Sequence, residues 1–123
     1  MSDTTATQSA NAPVLGPVNV VTDYAGSDEF VRKHTPFVEV IDAGGKKMVS
    51  VRVGKDVPHP NVPDHYITWI ELQVGGAPIA RFDLSPVATD PSVGIYVNVD
   101  PGTTVTAMEH CNLHGLWTYS VTV

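Results

Sequence analysis

A chain of 123 residues with 42% apolar side chains has room for one domain built round one hydrophobic core. Its net charge of -6 argues against a nucleic-acid partner, which calls for a basic face to displace counterions from phosphate. A single cysteine, Cys111, excludes an intrachain disulfide and any multi-cysteine zinc or iron-sulfur module, so that residue acts alone or within a mixed site.

Residues 1–16 are rich in Ser, Thr, Ala, Asn and Gln with few large apolar side chains, and they predict a flexible arm that cannot offset its own ordering entropy. They carry neither the basic start nor the apolar stretch of a secretory signal, and no apolar run in the chain is long enough to span a membrane. The expected location is the cytoplasm, with no membrane partner. Residues 17–123 are expected to form a single domain.

From Phe37 onward the chain breaks into short β-rich runs. FVEVI, MVSVRV, YITWIELQV, IARFDL, GIYVNV, TVTAM and LWTYSVTV follow one another, separated by DAGGKK, GKDVPHPNVPDH, GGAP, SPVATDPS, DPGT and EHCNLHG. Alternation is cleanest in Met48 to Val53, where Val49, Val51 and Val53 share one face. No segment holds a helical apolar period over three turns. About seven strands with turn signals between them predict an antiparallel β-sandwich of immunoglobulin-like type.

Six of the 7 basic residues, Arg32, Lys33, Lys46, Lys47, Arg52 and Lys55, fall in one short stretch. A local positive field on an acidic body can steer a small anion, although Lys46 and Lys47 in a Gly-Gly-Lys-Lys turn read as solvated surface charge.

Five residues carry the chemistry. His34 lies before the first predicted strand, His59 and His65 bracket a connection stiffened by Pro60 and Pro63, and Cys111 and His114 occupy the turn before the last strand. Loops on a rigid β scaffold are where functional groups concentrate. Together the five offer one ion four imidazoles and a thiolate, one ligand too many for an ordinary zinc site. Nitrogen donors with one sulfur suit iron, and backbone amides just after Cys111 are placed to point back at its sulfur. His110 is excluded from the set, because neighbouring strand residues face opposite ways and Cys111 takes the inward direction. Trp69, Trp117 and Tyr66 read as core residues, with Trp117 three places after His114 able to shield the edge of a metal.

His59-Pro-Asn, His65-Tyr66-Ile67 followed by Trp69-Ile70-Glu71-Leu72, and Glu109-His110-Cys111-Asn112-Leu113-His114-Gly115-Leu116-Trp117 closely resemble the superoxide reductases. The resemblance runs from Lys33-His34 to the C-terminus. Without a cysteine-rich N-terminal module, the chain is similar to the one-iron, neelaredoxin type rather than to two-iron desulfoferrodoxin. The resemblance implies a mononuclear iron with His34, His59, His65 and His114 in a plane, Cys111 on the axis and the sixth position open. It implies reduction of superoxide to hydrogen peroxide without release of dioxygen, a small redox protein such as rubredoxin as electron donor, and a homo-oligomer such as a tetramer. Lys33 matches the family's substrate-guiding lysine.

Elementary chemistry agrees with these expectations. Neutral imidazoles and one thiolate leave a ferrous site with net positive charge, attractive to an anion. An electron-rich sulfur opposite the open position raises the basicity of whatever binds there. The chain departs from the family at Arg32, where a glutamate is usual. Arginine has no lone pair to give a cation, so the sixth position of oxidised iron is left to solvent, or to Glu29 if that loop folds back. Two other readings compete. A cupredoxin-like electron carrier also uses His and Cys on a β-sandwich, but it wants a weak axial methionine after the last histidine, and none follows His114. A metal-free immunoglobulin-like binding module leaves the histidines incidental.

Overall fold

The computed structural model describes residues 16–123; the arm expected over residues 1–16 lies, apart from Gly16, outside them. Eight strands and one helix follow in the order β1 (Val18–Val21), α1 (Glu29–His34), β2 (Pro36–Ala43), β3 (Lys46–Val53), β4 (Ile67–Val74), β5 (Ala77–Asp83), β6 (Ser92–Val97), β7 (Thr104–Cys111) and β8 (Gly115–Thr122). One sheet has five strands in the order β1-β8-β7-β4-β5, and the other has three in the order β2-β3-β6. Every pairing is antiparallel except that of β1 with β8. The result is the expected sandwich, in which the alternating faces of two sheets enclose one core.

The period-2 pattern does the folding. Val49, Val51 and Val53 of β3 are buried together as expected, against Val38, Ile70, Leu72, Val105 and Ala107 from the neighbouring strands. Fully burying one such side chain contributes about 1.5–3 kcal/mol. On β7 the inward positions are Val105, Ala107, Glu109 and Cys111, so the same alternation that builds the core carries the thiol to its edge.

Two elements depart from the sequence expectation. β1 was not expected, because only Val21 of its four residues is buried; it is held by parallel pairing to β8 from Val18↔Leu116 to Val21↔Tyr119. The segment ending at His34 is a short helix and not a loop. Asp28 caps it, its side chain accepting from the Val31 amide at 3.0 Å, while Glu29 opens it and Arg32, Lys33 and His34 close it, in line with the helix dipole. Pro36 forces the preceding Thr35 into extended backbone and stops the helix. Fewer than two turns cannot display an apolar period, which is why that signal was silent.

Candidate metal centre

The five predicted donors come from three separate places. His34 is the last residue of α1, Cys111 is the last residue of β7, His114 closes the turn into β8, and His59 and His65 lie on the connection from β3 to β4. Donor atoms of His34, His65, Cys111 and His114 all lie within 4.8 Å of one another. His59 joins them from below, its Nε2 3.4 Å from Cys111 Sγ and its ring 4.8 and 4.9 Å from those of His34 and His65.

Local bonds decide which ring nitrogen faces the centre. A carbonyl only accepts, so His34 donates through Nδ1 to the Phe30 carbonyl at 2.7 Å, and His59 donates through Nδ1 to the Pro60 carbonyl at 2.6 Å. Both rings therefore turn a bare Nε2 inward. His34 Nε2 is 3.1 Å from His114 Nδ1, which in turn is 3.8 Å from Cys111 Sγ. His65 Nε2 is buried with no hydrogen-bond partner among the described residues, an arrangement that costs about 1–3 kcal/mol unless something takes its lone pair.

Electrostatics point the same way. Burial holds His34 and His59 down to a pKa of about 4, against a raising contribution from their carbonyl partners, so both rings are neutral at physiological pH. His65 is also lowered, chiefly by desolvation. Burial pushes the Cys111 thiol up, while the Leu113 and His114 amides donate toward the sulfur and pull it down. Those are the amides the sequence placed behind Cys111. A cation is what would complete the thiolate, since metal binding displaces the thiol proton.

An ion with bonds of about 2.0–2.4 Å has opposite ligands roughly 4–5 Å apart, which is the span these donors occupy. Neutral imidazoles, one sulfur and an orphaned nitrogen therefore fit a mixed nitrogen and sulfur site of the kind iron takes.

Around the donors the aromatic wall is tighter than expected. Phe30 packs on His34 at 4.6 Å and on His114 at 5.0 Å, and Trp117 stacks on His34 at 4.9 Å while its indole donates to the His114 carbonyl. Lys33 sits on α1 with its charge felt at both His34 and His65. Glu29 is exposed at the start of the same helix and outside the converged donors, so no loop folds it back. The charge of Arg32 is felt at Tyr24. His110 turns away as expected, stacked on Trp69 and donating through Nδ1 to Thr68 Oγ1 at 2.8 Å. A register shift at Thr68, between Ile67↔Cys111 and Trp69↔His110, marks a bulge beside the thiol, a common device for aiming a side chain.

Two features beside the site were missed. Gly54 takes φ +82, and a Cβ there would meet the His59 backbone nitrogen at 2.5 Å, so only glycine lets the His59 loop lie against the end of β3. Its place in Val53-Gly54-Lys55 was a turn signal that stood for close approach. Glu109 is fully buried, with no partner among the described residues for either carboxylate oxygen, and desolvation pushes its pKa well up. Its core position was visible in the alternation Val105, Ala107, Glu109, Cys111.

Comparison with known proteins adds the following. The sequence profile of the Desulfoferrodoxin family matches residues 26–120. A superoxide reductase of Pyrococcus horikoshii is 37% identical over 94 residues, covering 69% of this chain and 82% of that protein. One from Thermococcus kodakarensis is 35% identical over 100 residues, covering 74% and 87%. Among solved structures, a superoxide reductase (neelaredoxin) of Archaeoglobus fulgidus in the reduced form superposes with a TM-score of 0.70 at 34% identity, covering 79% of this chain and 93% of that one.

Proposed function

The chain belongs to the desulfoferrodoxin family, and from that membership we infer that it is a superoxide reductase whose substrate is the superoxide anion. The observation that carries the reading is the convergence of a buried thiol and a ring of imidazoles from α1, the β3–β4 connection and the β7–β8 turn. We assign iron as the metal, with His34, His59, His65 and His114 as nitrogen ligands and Cys111 as the sulfur ligand. When bound there, ferrous iron supplies the one electron that, with two protons, turns superoxide into hydrogen peroxide with no dioxygen released.

The chain's own residues prepare that chemistry. His34 and His59 are held neutral by burial and oriented by the Phe30 and Pro60 carbonyls. The Leu113 and His114 amides share the charge of a Cys111 thiolate, which tunes how strongly the sulfur donates. Phe30 and Trp117 keep water from the His34 side. Lys33 draws the anion toward the side of half-buried His65 and exposed His114 and orders the water that delivers a proton. A cupredoxin-like carrier uses fewer donors than converge here. Residues 17–123 act as one iron-binding domain, in the cytoplasm, within a homo-oligomer such as a tetramer, and a small redox protein such as rubredoxin returns the electron. Among the described residues no helix is long and apolar enough to cross a membrane.

The deciding experiment is iron quantification with optical spectra before and after superoxide. About one iron per chain is expected, oxidised on addition of superoxide with peroxide formed and no dioxygen evolved. Retention of copper with an intense thiolate band, or a spectrum that superoxide leaves unchanged, overturns the reading.

A further inference from the structure

The imidazoles of this site are not all held in the same way. His34 and His59 are each oriented by a ring Nδ1 bond to a carbonyl. Among the described residues His65 has no such bond and its inward Nε2 has no partner, so its direction is set by the backbone on either side. That backbone is gripped from across the site. The Tyr66 amide donates to Asn112 Oδ1 at 2.9 Å, Asn112 Nδ2 donates to the Asp64 carbonyl at 2.9 Å, and the Asn112 amide donates to the Tyr66 carbonyl at 3.2 Å. The two peptides flanking His65 are thus fastened to the residue immediately after Cys111.

Resting on the assignment of His65 and Cys111 as ligands to one ion, we propose that Asn112 is a positioning residue that locks the His65 loop to the thiolate turn and so sets the direction of the His65 ring. The chemistry calls for asparagine. One side chain must accept from the Tyr66 amide and donate to the Asp64 carbonyl at once, and only a carboxamide of this length carries both groups. Aspartate keeps the acceptor but sets its second oxygen against a carbonyl. The turn's own next amides are not free for the task, because Leu113 and His114 point theirs at the sulfur. Asn112 is itself exposed, so its bonds contribute little to the core and much to the relative placement of two loops.

The test uses the full-length chain and cobalt(II) as probe, read by chelator competition and by the thiolate-to-metal absorption bands. Asn112→Ala should keep its fold by circular dichroism and yet bind cobalt about 10–100-fold more weakly, the usual cost of losing a group that orients a ligand, with shifted bands. In a His65→Ala background the same substitution should cost nothing further, because the residue acts through His65. Affinity within about twofold of wild type in Asn112→Ala, or losses that simply add in the double variant, overturns the proposal. If Asn112→Ala fails to fold, Asn112→Asp takes its place with the same expectation; failure of both to fold makes Asn112 a folding residue and overturns it too. Wild-type chain that takes up no cobalt overturns the reading of the site and the clamp together, whereas tight binding by wild type and variant alike overturns the clamp alone.

Discussion

The centre has a floor and a rim, built on different principles. His34, His59 and Cys111 form the floor, with exposures of 0%, 8% and 0%, and two of the three end regular elements, α1 and β7. His65 and His114 form the rim, half-buried and exposed, on a bridge between Val62 and His65 and on a turn. Floor residues are placed by the same burial that folds the chain, so their geometry is inseparable from stability. Rim residues are placed by hydrogen bonds between loops, so their geometry can change while the fold persists.

The sharpest way to break that distinction is to truncate one imidazole from each part. His34→Ala removes a fully buried ring packed on Trp117 and Phe30 and should cost about 2–4 kcal/mol of stability in the metal-free protein. His65→Ala should stay within about 1 kcal/mol of wild type. Both should lose metal affinity by more than the roughly 100-fold that marks loss of an orienting group. Urea denaturation of the metal-free variants checks the first pair of numbers and chelator competition the second. Equal stability losses would erase the floor and rim division.

Gly54→Ala attacks the floor from beneath. A left-handed backbone and a Cβ pressed on the His59 nitrogen should cost about 1–3 kcal/mol and weaken metal binding through His59 alone. Thermal unfolding with and without metal separates the two effects.

How much of this was legible depended on how each residue is held. The strands were, because Val49, Val51 and Val53 repeat with period two and the sheet pleat has the same period. The convergence of the five candidate donors was, because four histidines and one cysteine beside prolines and turns leave few packing explanations. α1 was not, since six residues are too few to show periodicity, and its evidence was confined to the Asp28 cap and the basic last turn. β1 was not, since one buried valine gives no pattern and its partner strand is distant in the chain. Gly54 and Asn112 were silent for a shared reason: each acts on a segment remote in sequence, and nothing local records which backbone will approach.

Glu109 gives a smaller effect that sharpens the comparison, because it lies on the floor side without being a donor. Its carboxyl is buried and has no partner among the described residues, and desolvation raises its pKa well above the ordinary value in the folded chain. As pH climbs past the unfolded value of about 4.3, the unfolded chain releases a proton that the native chain retains. The unfolded state therefore binds fewer protons and stability falls with rising pH. Glu109→Met, which fills the space without a titrating group, should stabilise the metal-free protein by about 1–3 kcal/mol at pH 8 and by less at pH 5. A gain that does not grow with pH would show that the carboxyl is paired.

Smallest of all should be the effect of Lys33, which acts on the rim through space. Its charge is felt at His34 and His65 on a chain of net charge -6, so it supplies local attraction against a repulsive background. Lys33→Ala should slow the reaction with superoxide by about 2–10-fold at low ionic strength, the lower end of electrostatic steering. Near 1 M salt, where screening acts over about 3 Å, the gap should close. Stopped-flow or pulse-radiolysis rates across ionic strength decide it. A deficit that persists unscreened would mean that the ammonium works at contact, handing on a proton, and would move Lys33 from guiding the anion to taking part in its chemistry.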